Sequence, residues 1–432
     1  MKKILIASYM FPPIGGGGTQ RPLKFAKYLP SFGIKPIVFC PRVASWKAYD
    51  HSPLNQPYFR AIRVYRCGIH RLARYYQLKY EQRRDKHPYY YLLVLKYFWF
   101  LDFFSAWYFE CREHLLEIAR KENVDCVLTT SPPHSIHLFG RFLKSELGLP
   151  WIMDIRDAMT ADPNRPMGRF GCFQRAIEHY YERSFYRSAD AIVVVSEPMK
   201  ESIATRRLDM DIEKKIHVIT NGFDEDDFSR IDSKAGTRTK LTVTYTGSYM
   251  GRQTPEYFLT ALQTLVKEKK IEPGDLLIRF VGHFDSPTLA LFQRYSNDFP
   301  IEIIGFQPYE RCLYFQKNSD LLLLIVNIST AEGGSQTMTG KFFEYVGARR
   351  PIFALVPAGP LNNIIAEGRL GFTVAPKDVA AVAEKFKSVY DQWRLKGRIE
   401  FDPDSEIRDA FTRKRLTRKL ATLVDSFGRT IR

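Results

Sequence analysis

The residues of this chain whose types and spacing best suit diphosphate binding lie between positions 333 and 344. A helical pattern begins near Thr339, after the apolar run 321–325, and a helix start offers unpaired N–H groups and the positive end of a dipole. Lys341 adds a full charge there. Glu344 lies about one turn inward, where its carboxylate can accept two hydrogen bonds from the vicinal hydroxyls of a ribose. Taken alone, the segment fits a nucleotide site and a capped helix with an incidental Lys–Glu pair equally well.

A second candidate is the glycine-rich stretch 12–19, Pro-Pro-Ile-Gly-Gly-Gly-Gly-Thr, between the first predicted strand and a helix. Glycines let the backbone approach a ligand closely, and the helix start favours an anion or a sugar hydroxyl. The dinucleotide fingerprint Gly-x-Gly-x-x-Gly is not met, because Thr19 and Gln20 follow Gly18, and the second strand ends without an acidic residue. This disfavours an oxidoreductase and leaves a ligand loop and a plain turn as alternatives.

Length and composition indicate a globular protein of two domains, since the chain has 432 residues with 45% hydrophobic and 26% charged. The six cysteines are scattered without a CxxC pair, so we expect neither a zinc site nor a disulfide framework, as suits a reducing cytoplasm. The first residues meet Pro12-Pro13 too early for a signal peptide and predict a buried strand. No apolar run reaches the roughly 20 residues of a spanning helix.

Positive charge is concentrated at the start of the chain. Residues 1–100 hold 18 Lys and Arg but only three acidic residues, whereas the rest of the chain is nearly balanced. Within residues 71–109, basic side chains stand beside many Tyr, Phe and Trp, a combination that suits an anionic membrane surface. The alternative is a helix packed on its own domain with solvated basic residues. Nucleic acid is disfavoured because no recognition module is evident.

Short apolar runs alternate with amphipathic stretches in both halves, which predicts two α/β domains with parallel sheets. The acidic, polar stretch around 222–240 breaks this pattern. We expect a first domain at 1–228, a linker at 229–240, a second domain at 241–404, and a C-terminal helix at 405–432 that packs back on the first domain. The predicted strands cover residues 4–8, 36–40, 62–65, 126–129, 151–154, 191–196 and 217–220, then 241–246, 276–281, 301–304, 321–325, 351–355 and 371–374.

The segment 339–352 resembles the KxxEYxAxGxPV signature of glycosyltransferase family four. Its sequence is Thr-Gly-Lys-Phe-Phe-Glu-Tyr-Val-Gly-Ala-Arg-Arg-Pro-Ile. Further stretches resemble that family in the same order, particularly a bacterial polysaccharide branch. They are Tyr-Met-Phe-Pro-Pro with the glycine run (9–18), Ser-Pro-Pro (131–133), Trp-Ile-Met-Asp-Ile-Arg-Asp (151–157), Ala-Asp-Ala-Ile-Val-Val-Val-Ser (189–196), Val-Ile-Thr-Asn-Gly-Phe-Asp (218–224) and Tyr-Thr-Gly-Ser (245–248). The resemblance covers nearly the whole chain.

The resemblance implies a GT-B fold, in which two Rossmann-like domains have parallel sheets facing across a cleft. It implies a hexosyltransferase that moves a sugar, with retention, from a nucleoside diphosphate sugar on the second domain to an acceptor facing the first. UDP or GDP is the expected carrier, and neither a cofactor nor an obligatory metal is expected. The resemblance also implies a polysaccharide or lipid-linked acceptor and a cytoplasmic protein that is peripheral to the membrane. The oligomeric state stays open. A sugar-nucleotide epimerase and a non-catalytic binding subunit are the rivals.

By position, the resemblance implies Glu344 as the ribose ligand and Lys341 as a phosphate-side residue, with Arg252 near the family's second phosphate-binding cation. The family usually has Arg directly after the glycine of its donor-domain opening, where Ser248 follows Gly247 here. The candidate donor-binding residues are Gly17, Gly18, Gly247, Ser248, Gln336, Thr339, Gly340 and Glu344. The candidate catalytic residues are Arg252, Lys341, Asp157 and His134.

One departure concerns the sugar-facing half of the site. The family often places a second Glu eight residues before the ribose ligand, and this sequence has Gln336 there. An amide can bond sugar hydroxyls but cannot stabilise a positive charge. Glu332 stands nearby as a possible substitute.

In the first domain, the family's frequent histidine aligns with Thr130, while His134 and His137 follow a little later. Either histidine can face the cleft or simply lie at a helix start. Three charged residues end a buried strand, where parallel sheets place ligands. They are Asp154, Arg156 and Asp157. We expect acceptor or leaving-group contacts from them, with a structural ion pair as the alternative.

Overall fold

The computed structural model describes residues 1–42, 49–68, 102, 104–160, 171–206, 212–232, 239–249, 253–326 and 338–428. The chain divides into two compact units. The first comprises residues 1–220 together with 416–432, and the second comprises residues 221–415. Each unit is built on its own parallel sheet.

The first unit contains a seven-stranded sheet in the order β3-β2-β1-β4-β5-β6-β7, and every pairing is parallel. Because the order reverses between β1 and β4, the chain leaves these two neighbouring strands towards opposite sides. The strands are β1 (Lys2–Ser8), β2 (Ile34–Pro41), β3 (Arg63–Cys67), β4 (Cys126–Ser131), β5 (Trp151–Ile155), β6 (Ala191–Val194) and β7 (Ile216–Val218).

The second unit contains a six-stranded parallel sheet in the order β10-β9-β8-β11-β12-β13, which reverses between β8 and β11. Its strands are β8 (Leu241–Thr246), β9 (Leu276–Val281), β10 (Ile301–Ile304), β11 (Leu321–Ile325), β12 (Ile352–Leu355) and β13 (Gly371–Val374). Thus the α/β class and the two parallel sheets predicted from the apolar runs are confirmed.

Helices connect the strands, as parallel pairing requires. In the described parts of the chain they are α1 (Gly17–Tyr28), α2 (Pro57–Arg60), α3 (Ser105–Glu122), α4 (His137–Leu147), α5 (Gly171–Ser188), α6 (Glu197–Arg206), α7 (Glu225–Ser229), α8 (Glu256–Lys267), α9 (Ser286–Tyr295), α10 (Tyr309–Lys317), α11 (Gly340–Ala348), α12 (Pro360–Glu367), α13 (Val379–Lys396), α14 (Ser405–Ala410) and α15 (Arg413–Ser426). None of these helices has the length and apolarity needed to cross a membrane.

Both faces of the first sheet are covered by apolar side chains. Successive residues of β1 point to opposite faces, so Leu5 lies in one apolar cluster and Ile4 and Ile6 lie in the other. Leu416 and Leu420 of α15 are part of the cluster around Ile4 and Ile6. The last helix therefore completes the core of the first unit.

Lys2 holds the end of this last helix. Its ammonium donates to the carbonyl oxygens of Val424 at 3.0 Å and Phe427 at 2.6 Å, which are among the acceptors that a helix end leaves unpaired. A cation at a helix C-terminus also interacts favourably with the dipole.

The structure moves the boundaries expected from the sequence. The stretch that begins at Asn221 belongs to the second unit, because Phe223, Phe228 and Ile231 are buried in a cluster with Leu322 and other residues of that unit. The expected linker at 229–240 is therefore partly core, and the first domain ends before 228. The expected helix at 405–432 is two helices, of which only the part from Leu416 belongs to the first unit.

The cysteines also depart from expectation. Cys67, at the end of β3, forms a disulfide with Cys111 of α3, and their Cα atoms lie 6.1 Å apart. That separation is within the usual range for bridged cysteines. No local sequence motif indicates this disulfide, because the two cysteines are 44 positions apart. The expectation of no disulfide was wrong for this reason.

Candidate functional site

The carboxyl edge of the second sheet carries a loop built around glycines. Gly247 follows β8 with φ 106°, and its N–H donates to the carbonyl of Val281 at 2.7 Å. A Cβ atom on Gly282, which follows β9, would lie 2.3 Å from the carbonyl oxygen of Gly247. The two strand ends can approach this closely because Gly282 lacks a side chain. Parallel sheets bind ligands at such carboxyl ends, where the strand order reverses.

Lys341 of α11 reaches the same edge. Its ammonium donates to the carbonyl oxygen of Ser248 at 3.2 Å and lies 5.0 Å from the ring centroid of Tyr245. A Cβ on Gly247 would stand 2.5 Å from Cε of Lys341. The structure thus brings together three of the predicted donor-side residues, namely Gly247, Ser248 and Lys341.

Lys341 is half-buried, and burial lowers the pKa of its ammonium to about 8, while nearby Glu344 opposes this effect. Desolvation disfavours the charged form of an amine, whereas a neighbouring carboxylate favours it. An anionic ligand at this position would favour the charged form in the same way.

The described residues leave space at the start of α11. Among them, a Cβ on Gly340 would meet no atom within 4 Å, and Thr339, which precedes the helix, makes no side-chain capping hydrogen bond. The hydroxyl oxygen of Thr339 is buried and has no hydrogen-bond partner among the described residues. The first turn therefore has N–H groups and a hydroxyl that can receive an anion.

Glu344 lies one turn into α11 and is half-buried. Its Oε2 accepts a hydrogen bond from Nε2 of Gln316 at 3.0 Å. Burial raises the pKa of Glu344, and the Gln316 hydrogen bond, Lys341 and Arg413 oppose this shift. Gln316 and Tyr245 were not predicted. The one signal for Gln316 was an amide directly after the apolar run 313–315.

In the first unit, the glycine loop follows β1 and opens α1, next to the end of β4. Gly16 has φ 99°, and a Cβ on Gly17 would meet no atom of the described residues within 4 Å. A Cβ on Gly18 would lie 3.5 Å from Nη1 of Arg156. Gly17 and Gly18 belong to a different unit from the other described donor-site candidates.

Arg156, expected on the acceptor side, ties this loop to the neighbouring strand end. Its Nε donates to the carbonyl of Ser131 at 2.6 Å, and its Nη1 donates to the carbonyl of Gly18. The guanidinium therefore binds the backbone of its own unit. Asp157, the next residue, is exposed.

Asp154 forms a buried ion pair. Its Oδ1 lies 2.7 Å from Nη2 of Arg21, and the side chains are 0% and 1% exposed. Oδ2 also accepts a hydrogen bond from Thr130 at 2.6 Å, and Arg21 donates to the carbonyl of Thr220 at 2.7 Å. Asp154 thus forms the structural ion pair given as the alternative, with both oxygens hydrogen-bonded inside the core.

The two histidines after β4 differ in their surroundings. His137 is fully buried, its Nδ1 lies 2.8 Å from the hydroxyl of Thr129, and burial lowers the pKa of this histidine well below its usual value. It is therefore a neutral core histidine. His134 is half-buried at the start of a short helical turn, with its ring centroid 6.5 Å from that of His137.

Several expectations fall on residues outside the described parts of the chain. They are Arg252, Gln336, Glu332 and most of the basic, aromatic stretch 71–109. Among the described residues, no group of three or more His, Cys, Asp or Glu side chains is placed to hold a metal ion.

Comparison with known proteins supplies the family context. Residues 16–222 match the family described as glycosyl transferase 4-like domain. No curated protein sequence matches the chain significantly.

Solved structures with a similar fold span nearly the whole chain. Alr3699/HepE of Anabaena, in complex with UDP and glucose, is 13% identical, with a TM-score of 0.66 over 99% of this chain and 100% of that one. The lipopolysaccharide outer core galactosyltransferase WaaB is 13% identical, with a TM-score of 0.55 over 99% of each chain. UDP-GlcNAc 2-epimerase from Neisseria meningitidis, bound to UDP-GlcNAc, is 11% identical, with a TM-score of 0.56 over 99% of this chain and 100% of that one. Residues 16–222 thus match the glycosyl transferase 4-like domain, and the chain has the fold of the GT-B glycosyltransferases.

Proposed function

We propose that this protein is a retaining hexosyltransferase, which moves a sugar from a nucleoside diphosphate sugar to a saccharide or lipid-linked acceptor. The observation that carries the proposal is the meeting of Gly247, Lys341 and Glu344 at the carboxyl edge of the second sheet, where its strand order reverses. This places a cation and open N–H groups for a diphosphate about one helical turn from a carboxylate suited to a ribose.

The chemistry of transfer fits this arrangement. The bond between the sugar and the diphosphate breaks through a transition state in which negative charge builds up on the departing diphosphate. Preorganised positive charge at that position is the largest electrostatic contribution such a site can make. We assign this role to Lys341 and the start of α11, with Arg252 as a second cation. Retention of configuration rests on the resemblance of the sequence to glycosyltransferase family four.

UDP or GDP is the proposed carrier. The similar structures support UDP, since one is a complex with UDP and glucose and another is bound to UDP-GlcNAc. A cell-surface polysaccharide or glycolipid is the proposed acceptor, in line with the name of the galactosyltransferase of lipopolysaccharide among those structures. The 18 basic residues in positions 1–100 support work at the inner face of the plasma membrane.

A sugar-nucleotide epimerase is the second candidate, because the similar structures include an epimerase. That chemistry needs general acid and base groups beside the donor sugar. Position 336, where family four often has a carboxylate, holds an amide in Gln336. This favours transfer, in which the diphosphate side of the site carries most of the catalysis.

Incubation with UDP-glucose, UDP-GlcNAc and GDP-mannose, with and without a bacterial membrane lipid extract as acceptor, tests these alternatives. Free nucleoside diphosphate that accumulates only with the acceptor is the result expected of a transferase. A changed sugar still on its nucleotide would replace the proposal with epimerisation. Binding without turnover under all conditions would indicate a non-catalytic subunit.

A further inference from the structure

Gln316 connects three elements at the edge of the second sheet. It lies in α10 with a side chain that is 0% exposed, and its Nε2 donates to Oγ1 of Thr246 at 2.9 Å and to Oε2 of Glu344 at 3.0 Å. Thr246 ends β8, and Glu344 lies in α11. One amide group thus joins a strand end to the helix that carries the proposed ribose ligand.

We infer that Gln316 is a positioning residue of the nucleotide site, which holds the carboxylate of Glu344 in the orientation that receives the ribose hydroxyls. The inference rests on the proposed function, since it concerns the same site. No role in contact with the nucleotide is assigned to Gln316 itself, because its side chain is buried behind Glu344.

The hydrogen-bond network fixes the orientation of the amide. Both hydrogens of an amide NH2 group can be donated, and here two acceptors are within reach. The reversed amide would place its oxygen against the carboxylate oxygen of Glu344, which is unfavourable for an ionised carboxylate. Oε1 of Gln316 is buried and has no partner among the described residues, so the orientation is maintained by the two donated bonds.

Thr246 is itself held in place on its other side. The hydroxyl of Tyr345 accepts the N–H of Thr246 at 3.0 Å and lies 3.4 Å from its Oγ1. The Thr246 hydroxyl can therefore donate to Tyr345 while it accepts from Gln316. The hydrogen bonds among Gln316, Thr246 and Tyr345 restrict the orientation of the Gln316 amide, and this amide in turn restricts the carboxylate of Glu344.

Gln316 also affects the charge state of Glu344. Burial raises the pKa of this carboxyl, and Asp227 acts in the same direction. The hydrogen bond from Gln316 and the charges of Lys341 and Arg413 act against it. Because an ionised carboxylate accepts ribose hydroxyls with both oxygens, loss of the amide should weaken ribose binding and should do so most at low pH.

The test measures discrimination between ribose and deoxyribose. Titration calorimetry gives the affinities of UDP, 2′-deoxy-UDP, GDP and 2′-deoxy-GDP for the full chain and for Gln316→Met, which keeps the volume and removes the donor. We expect the ribonucleotide of the bound pair to lose about tenfold in affinity, and its 2′-deoxy counterpart, which offers only the 3′-hydroxyl to Glu344, to lose less, so that the preference for the ribonucleotide narrows. As the pH is lowered, the Gln316→Met variant should lose this preference at a higher pH than the wild type does, because its Glu344 becomes protonated earlier.

Gln263→Met is the matched control. This residue lies in α8 of the same unit, and its Nε2 also donates to a carboxylate, Asp298 at 2.6 Å. It should keep the wild-type preference. In the Glu344→Ala background, Gln316→Met should cause no further loss, since the effect passes through the carboxylate.

The outcomes separate this inference from the proposed function. A folded Gln316→Met protein that keeps the ribose preference, or that loses both nucleotides of a pair equally, would overturn the inference and leave the site in place. A further loss in the Glu344→Ala background would overturn it as well. A wild-type protein that binds none of the four nucleotides would overturn the proposed function together with the inference.

Discussion

The ammonium of Lys341 lies 5.0 Å from the centroid of the Tyr245 ring and donates to the carbonyl oxygen of Ser248 at 3.2 Å. The side chain thus spans from α11 to the residues at the end of β8. The Lys341 side chain passes Gly247 so closely that a Cβ atom at that position would clash with it. The Lys341 ammonium is held by one carbonyl oxygen and one aromatic face, so it can rotate towards a bound diphosphate at a small cost in free energy.

Replacement of Lys341 by Met should weaken nucleoside diphosphate binding about 10- to 100-fold, because a hydrogen bond to a charged group is lost. Binding of the uncharged nucleoside should change little. Calorimetry with UDP and uridine, or GDP and guanosine, measures both. Lys387→Met, which removes a surface cation paired with Asp391, is the control. Equal losses for nucleoside and diphosphate would argue against a phosphate-side role.

The pH dependence of binding follows from the pKa of Lys341, which is about 8. The amine is charged below this value and neutral above it, so diphosphate affinity should be full well below pH 8 and should fall as the pH rises through it. The Lys341→Met variant should lack this decline. A wild-type affinity that stays constant from pH 7 to about pH 9.5 would contradict the assignment.

Gly247→Ala should damage the site in two ways. Its backbone has φ 106°, and the new Cβ would stand 2.5 Å from Cε of Lys341. We expect a loss of about 1–3 kcal/mol in stability and weaker diphosphate binding, since Lys341 must move. Thermal unfolding and calorimetry measure these effects. Gly274→Ala, where a Cβ would meet nothing within 4 Å, should change both much less.

Glu344→Ala should reduce the thermal stabilisation that the cognate nucleotide sugar produces. A panel of UDP, GDP, ADP and dTDP sugars identifies that ligand in the wild type, and the variant is then compared at the same concentration. The lost hydrogen bonds to ribose predict a smaller shift. Exposed Glu384, changed to Ala, is the control. A shift of unchanged size in Glu344→Ala would count against the ribose role.

Asp154→Ala should destabilise the first unit by about 3–5 kcal/mol, because it leaves the buried guanidinium of Arg21 without its partner. Asp391→Ala, which breaks an exposed pair with Lys387, should cost less than about 1 kcal/mol. Urea unfolding followed by tryptophan fluorescence measures both. If Asp154→Ala were as stable as the wild type and inactive, an acceptor role would be restored.

The basic start of the chain predicts recruitment to anionic membranes. Liposomes with phosphatidylglycerol should bind the protein at low salt and release it as the ionic strength rises past about 0.1–0.2 M. Liposomes of phosphatidylcholine alone should not bind it. Recruitment that is absent, or equal on both, would remove the membrane surface from the proposal.

The strands were predictable because parallel sheets covered on both faces need continuous apolar runs. The expected strand at 151–154 is β5, and the run 321–325 is β11. The start of β2 was placed two residues late, at 36, since Lys35 interrupts the apolar pattern. Local patterns thus located the elements well and their ends less well.

What sequence patterns left out are contacts between distant positions. Gln316 meets Glu344 across 28 positions, and no local rule joins an amide in one helix to a carboxylate in another. The burial of Phe223 and Phe228 was not predicted, because the acidic residues around them gave the segment the polar composition of a linker. Asp154 looked like a ligand at a strand end because its partner, Arg21, lies 133 positions away.

The position of α15 at the end of the chain affects the order in which the two units can fold during synthesis. Leu416 and Leu420 belong to the core around Ile4 and Ile6, so the first unit has to wait for them until the second unit, at residues 221–415, has been synthesised. On the ribosome the continuous unit can therefore fold first, although domains usually mature from the N-terminus. A chain that ends after residue 415 should accordingly protect the second unit from protease while the first unit is still open to cleavage.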